Sequence, residues 1–407
     1  MAIKYISKSN IKNKTVLLRV DVNVPVENGR VADSFRVEQA VESIRLLQKQ
    51  GNKVILCGHL GRPEGKRDKA LSLRPVAGLL AELLGMKFVE TEHKVPEYHI
   101  PHLIFYTGSI LEEKHRKQIA DIPAKDLAVL ENLRFYGGEE ENDPVFAKHL
   151  ASLGEVYVND AFGVDHRPAA SVVGVAKYLP AFAGLLLEKE IKGLDAVLHS
   201  PKSPFVLMMG GVKISDKVET IMNLGKKADK ILLGGGLANL FFHAKGFEIG
   251  ESKAESKSEN VARQLERNFK SKIMLPLDVV AANKKMDRHS IRSCAPYEVR
   301  DNEVILDAGP KTILEFAKQL KVAKTIVWNG PLGHFEKKPF DMATMALARV
   351  VGGVAGRKAF AAVGGGETVD AVRLAHQAAH IDHLSTGGGA MLEYLAGKEL
   401  PGIEALK

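Results

Sequence analysis

Cysteine is scarce: Cys57 and Cys294 are the only two in 407 residues. They lie far apart, so no disulfide framework is expected, and the thiols fit a reducing compartment. No uncharged apolar run reaches the ~18 residues that a membrane helix needs. The opening stretch, MAIKYISKSNIKNKTVLLRVD, has no secretory apolar core, and strand-like sequence by Thr15 leaves no room for a transit peptide. A cytoplasmic protein is expected. Basic residues exceed acidic ones by only eight and are scattered, without an aromatic-interleaved patch. That argues against nucleic acid and suits a small anionic substrate. Nucleotide fingerprints are also missing. The Gly-Lys pairs at Gly65, Gly225 and Gly397 have the wrong followers for G-x-x-x-x-G-K-[ST], and no G-x-G-x-x-G occurs, which weakens a dinucleotide-dehydrogenase reading. His376 and His380 lack the glutamate of H-E-x-x-H, so a helix surface is expected there rather than zinc.

Glycine, in contrast, is concentrated. Triplets stand at Gly234–Gly236, Gly364–Gly366 and Gly387–Gly389, each after a short apolar or β-prone run and before a helix-like stretch. Glycine lets backbone approach a ligand closely. The following helix N-terminus offers free N–H groups and partial positive charge. Punctuation of βα units explains any single triplet as well; three in one half of a chain favour a phosphate or nucleotide seat.

Short apolar runs alternate with helical periods. Strands are expected over 15–20, 53–58, 127–131, 155–159, 204–209, 230–234, 325–328 and 358–363, several apolar on both faces, as in a parallel sheet. Val37, Ala40, Val41, Ile44 and Leu47 follow helical spacing, with Gly51 as a stop. The expected fold class is α/β: two Rossmann-like three-layer domains with mostly parallel sheets. Leu187, Ile191, Leu194 and Leu198 share a helical face before Pro201 and Pro204, which reads as a connecting hinge helix over 185–199; a core helix within one domain has the same spacing. The domains are then 1–184 and 200–390.

Charged groups recur at expected strand ends. Asp21 and Asn23 follow the first strand, His59 and Arg62 the second, Arg134 the third, and Arg167 lies beyond the fourth; Arg36 opens the first helix. Such positions converge in an open α/β sheet, and guanidinium groups hold carboxylate or phosphate bidentately. Singly, each arginine fits a surface ion pair. In the second half, Lys213 and Lys217 follow Gly210-Gly211 at i, i+4, which places them on one face at a helix start, as for polyphosphate. Two solvated lysines beside a glycine turn are the plain alternative. Glu367 and Thr368 open a helix, where a carboxylate could hold Mg²⁺ or complement the dipole.

Taken in order, LLRVDVNVP, GHLGRP, LENLRF, VNDAFG…HR, GGVKISDK, WNGPLGHFE, GGGET and STGGGAMLEYLAGKELPGIEAL resemble the phosphoglycerate kinase family over nearly the whole chain, Val16 to Leu406. The resemblance implies reversible phosphoryl transfer between 1,3-bisphosphoglycerate and ADP, giving 3-phosphoglycerate and ATP, with Mg²⁺. It assigns the glycerate to Asp21, Asn23, Arg36, His59, Arg62, Arg134 and Arg167. It assigns the nucleotide to Lys217, Gly309, Asn329, Glu336, Gly365, Gly366, Glu367 and Thr368, with Gly234 and Gly235 at the adenine and Glu336 at the ribose hydroxyls. Arg36, Lys213 and the amides of Gly387, Gly388 and Gly389 would stabilise the moving phosphoryl group. It further implies a monomer whose residues 391–407 return to the first domain. The chain departs from the family pattern at Glu367, where aspartate is usual, at Val212, where a smaller residue is usual, and at Leu332 and His334. A different phosphotransferase and a non-catalytic nucleotide scaffold are the remaining alternatives.

Overall fold

The structure is a computed structural model that describes residues 2–95, 99–255 and 258–407. The chain divides into two compact units, Met1–Ile191 with Glu399–Lys407, and Lys192–Lys398.

The first unit is built on a seven-stranded parallel sheet. Its spatial order is Lys87–Thr91, His102–Tyr106, Leu127–Leu130, Lys53–Cys57, Thr15–Val20, Val156–Asp160 and Ala181–Ala183. All eight expected strands of the chain are present within a residue or two. The central ones lack alternation because every residue of Lys53–Cys57, Leu127–Leu130 and Val156–Asp160 is buried, which is what coverage of both faces demands. Four strands that carry charged residues beyond their carboxyl ends are direct neighbours, so those loops lie side by side at one sheet edge. The helix Phe35–Lys49 buries Val37, Ala40, Val41, Ile44 and Leu47, and Gly51 just past it has φ +79°, a left-handed conformation that suits glycine.

The second unit holds a six-stranded parallel sheet in the order Ile273–Met274, Lys230–Leu233, Phe205–Met209, Thr325–Asn329, Phe360–Gly364 and His383–Leu384. Beside it is a three-stranded antiparallel sheet, Arg292–Cys294, Val279–Asn283 and Glu303–Ala308, which the apolar runs do not announce. Its apolar runs are short, residues 279–282 and 304–306, and each strand mixes buried with part-exposed residues.

The helix Leu185–His199 contains the division between the units, at Ile191/Lys192. The segment that rejoins the first unit is shorter than the expected 391–407. The helix Gly388–Leu395 stays with the second unit, where Thr220 Oγ1 donates to Leu392 O at 2.7 Å and Asn223 Nδ2 to Leu395 O at 2.8 Å. Only Glu399–Lys407 belongs to the first unit, anchored by Gly402 N donating to Asp165 O at 2.9 Å. Among the described residues no helix is long and apolar enough to cross a membrane.

Candidate active site

Arginine, histidine and carboxylate groups meet at the carboxyl edge of the first unit's sheet. Arg36 Nη1 donates to Asn23 O at 2.7 Å, and its Nε lies 3.9 Å from Asp21 Oδ2. Asn23 Oδ1 accepts from Gly61 N at 2.9 Å, and Gly61 O accepts from Arg134 Nη1 at 2.7 Å. Gly61 has φ +62°, and a Cβ there would sit 2.6 Å from Leu71 Cδ2, so only glycine fits this link comfortably. Arg134 is buried, with Nε 3.3 Å from Glu140 Oε1; Arg167 Nη1 is 4.0 Å from the same oxygen. Arg62 is exposed and has no hydrogen-bond or ion-pair partner among the described residues.

His59 sits at the back of this cluster, 2% exposed. Burial holds its imidazole well below the usual histidine range, and Arg19, Arg134, Arg167 and Arg36 add to the depression. It is therefore neutral. Arg19 Nη2 lies 3.1 Å from its Nδ1. Guanidinium can only donate, so Nδ1 accepts and the ring proton resides on Nε2.

Arg19 is a residue that sequence reasoning missed. Its Nε donates to Ser171 Oγ at 2.8 Å and its Nη1 to Val20 O; Ser171 in turn donates through Oγ and N to the two carboxylate oxygens of buried Glu139, at 2.5 and 2.9 Å. The available signal was an arginine inside the apolar strand run LLRVD, since a buried charge needs partners.

The second unit contains a cavity of about 340 Å³. Val279, Leu306, Pro331 and Leu332 give it apolar walls; Gly235, Glu336 and Glu367 line it, and so does His334. Gly234 caps the helix Gly235–Ala244, and a Cβ on it would strike Leu332 at 2.4 Å. The loops that follow Phe205–Met209 and Thr325–Asn329 are zipped together by Gly210 N donating to Asn329 O and Gly211 N to Pro331 O, both at 2.9 Å. Gly330 N donates to the buried Thr368 hydroxyl at 2.7 Å.

Two helix starts come together nearby. A Cβ on Gly388 would lie 3.2 Å from Gly365 Cα, so the helices Gly366–Leu374 and Gly388–Leu395 begin side by side, neither with a side-chain cap. Gly365 has φ +93°, and Asn329 stands against it with its Nδ2 buried and unpartnered. A buried amide donor without an acceptor is costly unless a ligand supplies one.

Lys213 and Lys217 are not on one helical face. The helix begins at Val218, and Lys213 lies in the loop before it. Lys217 is buried and its Nζ donates to Lys213 O at 3.4 Å, whereas Lys213 is exposed. Burial lowers the Lys217 pKa, with Asp216 and Glu367 opposing that shift. Gly309 also differs from a simple phosphate seat. Its N–H donates to Asp278 O at 2.8 Å, and the Asp278 carboxylate takes the N–H groups of Lys311 and Thr312 at 3.0 and 2.8 Å. That helix start is already capped. Likewise His376 and His380 lie beyond the helix that ends at Leu374 and form no helical pair.

Glu367 is exposed at the cavity wall; partial desolvation raises its pKa first and Glu336 second, while Lys217 opposes. Two carboxylates facing one cavity suit a cation, though among the described residues no cluster of three or more His, Cys, Asp or Glu could hold a metal by itself. These residues fit a magnesium ion that takes most of its oxygen ligands from phosphate and water.

A cluster of arginines on one α/β unit, and an apolar cavity beside two uncapped helix starts on another, suit a phosphotransferase of the two-unit α/β class. Comparison with known proteins is specific. The phosphoglycerate kinase family model matches residues 6–398. The phosphoglycerate kinase of Pelotomaculum thermopropionicum is 43% identical over 409 residues, covering 100% of this chain and 99% of the relative, and that of Moorella thermoacetica is 45% identical over 399, covering 97% of each. Among solved structures, the phosphoglycerate kinase of Coxiella burnetii aligns with TM-score 0.81 at 36% identity, over 100% of this chain and 99% of that one. The enzyme of Pyrococcus horikoshii aligns with TM-score 0.85 at 30% identity, over 99% and 98%. The chain belongs to the phosphoglycerate kinase family, enzymes that transfer a phosphoryl group with a carboxyl group as acceptor. The dehydrogenase and scaffold readings fall with that membership.

Proposed function

We propose that the first unit binds 3-phosphoglycerate or 1,3-bisphosphoglycerate through Arg36, His59, Arg62, Arg134 and Arg167, with Asp21 and Asn23 turned to its hydroxyl. The observation that carries this is the convergence of those loops on adjacent strands around a neutral His59. Arg62 has its guanidinium unengaged, ready for an anion, and Arg134 and Arg167 are held within 4.0 Å of one carboxylate oxygen, so they share a locus.

The ADP or ATP reading of the second unit rests on the cavity and on Asn329 Nδ2. The base fits the apolar walls, and the phosphates fit the open amides at Gly365, Gly366 and Gly388, beside Gly387, whose N–H donates to Ser385 Oγ at 3.3 Å, with Lys217 and Lys213. Gly234, Gly235 and Gly309 then shape the pocket rather than hold charge. Magnesium, carried by Glu367 and by nucleotide oxygens, would supply neutralisation of phosphate charge. Thr368 fixes the loop at Gly330.

The chemistry asks little covalent work of the protein. An acyl phosphate is already activated and the attacking ADP oxygen is ionised, so positioning and charge stabilisation carry catalysis. Arg36, at the edge of the arginine cluster, and the exposed Lys213 are the cations that would meet the phosphoryl group. Transfer demands that both ligands meet with water excluded, which assigns the helix Leu185–His199, shared by the two units, the role of hinge. A cytoplasmic monomer is the simplest form of such an enzyme.

ATP formation from ADP and 1,3-bisphosphoglycerate, measured by a coupled assay with each substrate varied, tests the reading. Calorimetric titration of 3-phosphoglycerate into Arg62→Ala and Arg134→Ala should show weaker binding with ADP affinity retained. Unchanged glycerate affinity in both variants would move the glycerate site elsewhere.

A further inference from the structure

His334 and Glu336 both line the nucleotide cavity, and His334 Nε2 lies 3.9 Å from Glu336 Oε2. That gap is too long for a direct hydrogen bond. It is short enough for one oxygen to stand about 2.8 Å from each atom. A carboxylate only accepts, and an imidazole N–H donates, so the bridging oxygen must donate once and accept once. A hydroxyl group does that.

We infer that His334 and Glu336 together grip one hydroxyl of the nucleotide's ribose. The inference rests on the nucleotide reading of this cavity and adds a specificity residue at its sugar end. The backbone holds His334 in place: its N–H donates to Leu306 O at 2.7 Å, and its carbonyl accepts from Lys337 N at 3.0 Å. Leu306 itself lines the cavity, so the imidazole is tied to the wall that it serves. Its side chain is 44% exposed and that of Glu336 52%, which leaves both reachable by a ligand. Glu367 faces the same cavity, and its carboxyl senses both His334 and Glu336, which places the phosphate-side and sugar-side groups within electrostatic reach of each other.

Binding of ADP, 2′-deoxy-ADP, 3′-deoxy-ADP and inorganic tripolyphosphate to the full chain and to His334→Val and His334→Gln decides the matter by calorimetry. In the wild type, removing the gripped hydroxyl should weaken binding about five- to tenfold. His334→Val should weaken ADP binding by a similar factor, and the same deoxynucleotide should then show little further loss. His334→Gln, which keeps a donor, should recover part of the ADP affinity, and tripolyphosphate should bind wild type and variants alike. Equal losses for ADP and both deoxynucleotides in His334→Val would overturn the shared grip, as would an unaltered ADP affinity. Failure of the wild type to bind ADP would instead overturn the nucleotide reading, and the grip with it.

Discussion

Arg19 and His59 face each other inside the first unit, guanidinium Nη2 to imidazole Nδ1, at 3.1 Å. The pair decides which nitrogen of His59 can serve a ligand. With Nδ1 accepting, Nε2–H is the ring's remaining donor, and a donor is what a phosphate or carboxylate oxygen requires. The arginine charge that does this is offset through Ser171 to Glu139. His59 should therefore show no NMR titration between pH 5.5 and 8. Arg19→Met should remove the tautomer control and break the Arg19–Ser171–Glu139 relay, a loss of roughly 1–3 kcal/mol. A titrating His59 in the wild type would contradict the assignment.

Arg36 is 28% exposed, donates to Asn23 O at 2.7 Å and lies 3.9 Å from Asp21, at the rim of the arginine cluster. Arg36→Ala should reduce turnover by about 10²–10⁴ while weakening 3-phosphoglycerate binding far less, the pattern of an interaction made mostly in the transition state. Arg36→Lys should rescue poorly, because a point charge does not replace a planar fork. Near-normal kcat with a raised KM would make Arg36 a simple binding group.

The two lysines are separated by burial. Lys217 is buried and donates to Lys213 O, while Lys213 is exposed in the loop before the helix; in the proposed site Lys217 would hold nucleotide phosphates and Lys213 would meet the transferring group. Lys213→Ala should lower kcat with ADP affinity nearly kept. Lys217→Ala should weaken ADP binding in calorimetry as well as the rate. The opposite pairing of phenotypes would reverse the roles.

Glu367 has two possible duties, metal contact and complement to its helix start, the second worth only ~0.3–1 kcal/mol. Glu367→Gln should raise the Mg²⁺ concentration for half-maximal rate and leave 3-phosphoglycerate affinity alone. Glu367→Asp should remain active. An unchanged Mg²⁺ titration in the Gln variant, with a small fall in Tm, would leave the dipole role alone.

The parallel cores were legible because their strands are buried on both faces and read as unbroken apolar runs. The antiparallel sheet around Val279–Asn283 was not, since its apolar runs are short and mixed with part-exposed residues. Motif order named Asp21, Asn23, Arg36, His59, Arg62, Arg134 and Arg167, most of which follow strands of the first sheet. It could not show Arg19, whose importance depends on Ser171 and Glu139, 152 and 120 positions away in sequence, nor that Asp278 caps the helix after Gly309 from 33 residues upstream. The i, i+4 spacing of the two lysines failed for a different reason: spacing rules presuppose a helix, and here a turn from Ile214 to Lys217 precedes a helix that begins only at Val218.

Asp165 gives the last prediction. Its carboxyl is buried, accepts from Asn159 Nδ2 at 2.7 Å, and has an unpartnered Oδ2. Burial pushes its pKa up to about 8, with Asn159 and Arg19 opposing. In the unfolded chain an aspartate titrates near ~3.9. The folded state thus keeps a proton that the unfolded state has lost, so the stabilising contribution is full below about pH 4 and is lost as pH rises through about 8. The steepest slope from one such group is ~1.4 kcal/mol per pH unit. Asp160, raised to about 6, and Asp307, raised to about 7, act in the same direction, so the variant must be compared with wild type at each pH. Asp165→Asn keeps an acceptor for Asn159 and removes the titration. Its urea midpoint should change less than that of wild type between pH 5 and 8, and at pH 8 it should be the more stable protein. Because Asp165 also presents its carbonyl to Gly402 N, the same change should slow proteolytic release of the tail Glu399–Lys407 at pH 8. Parallel pH profiles for variant and wild type would show that the Asp165 carboxyl is ionised in the fold at neutral pH.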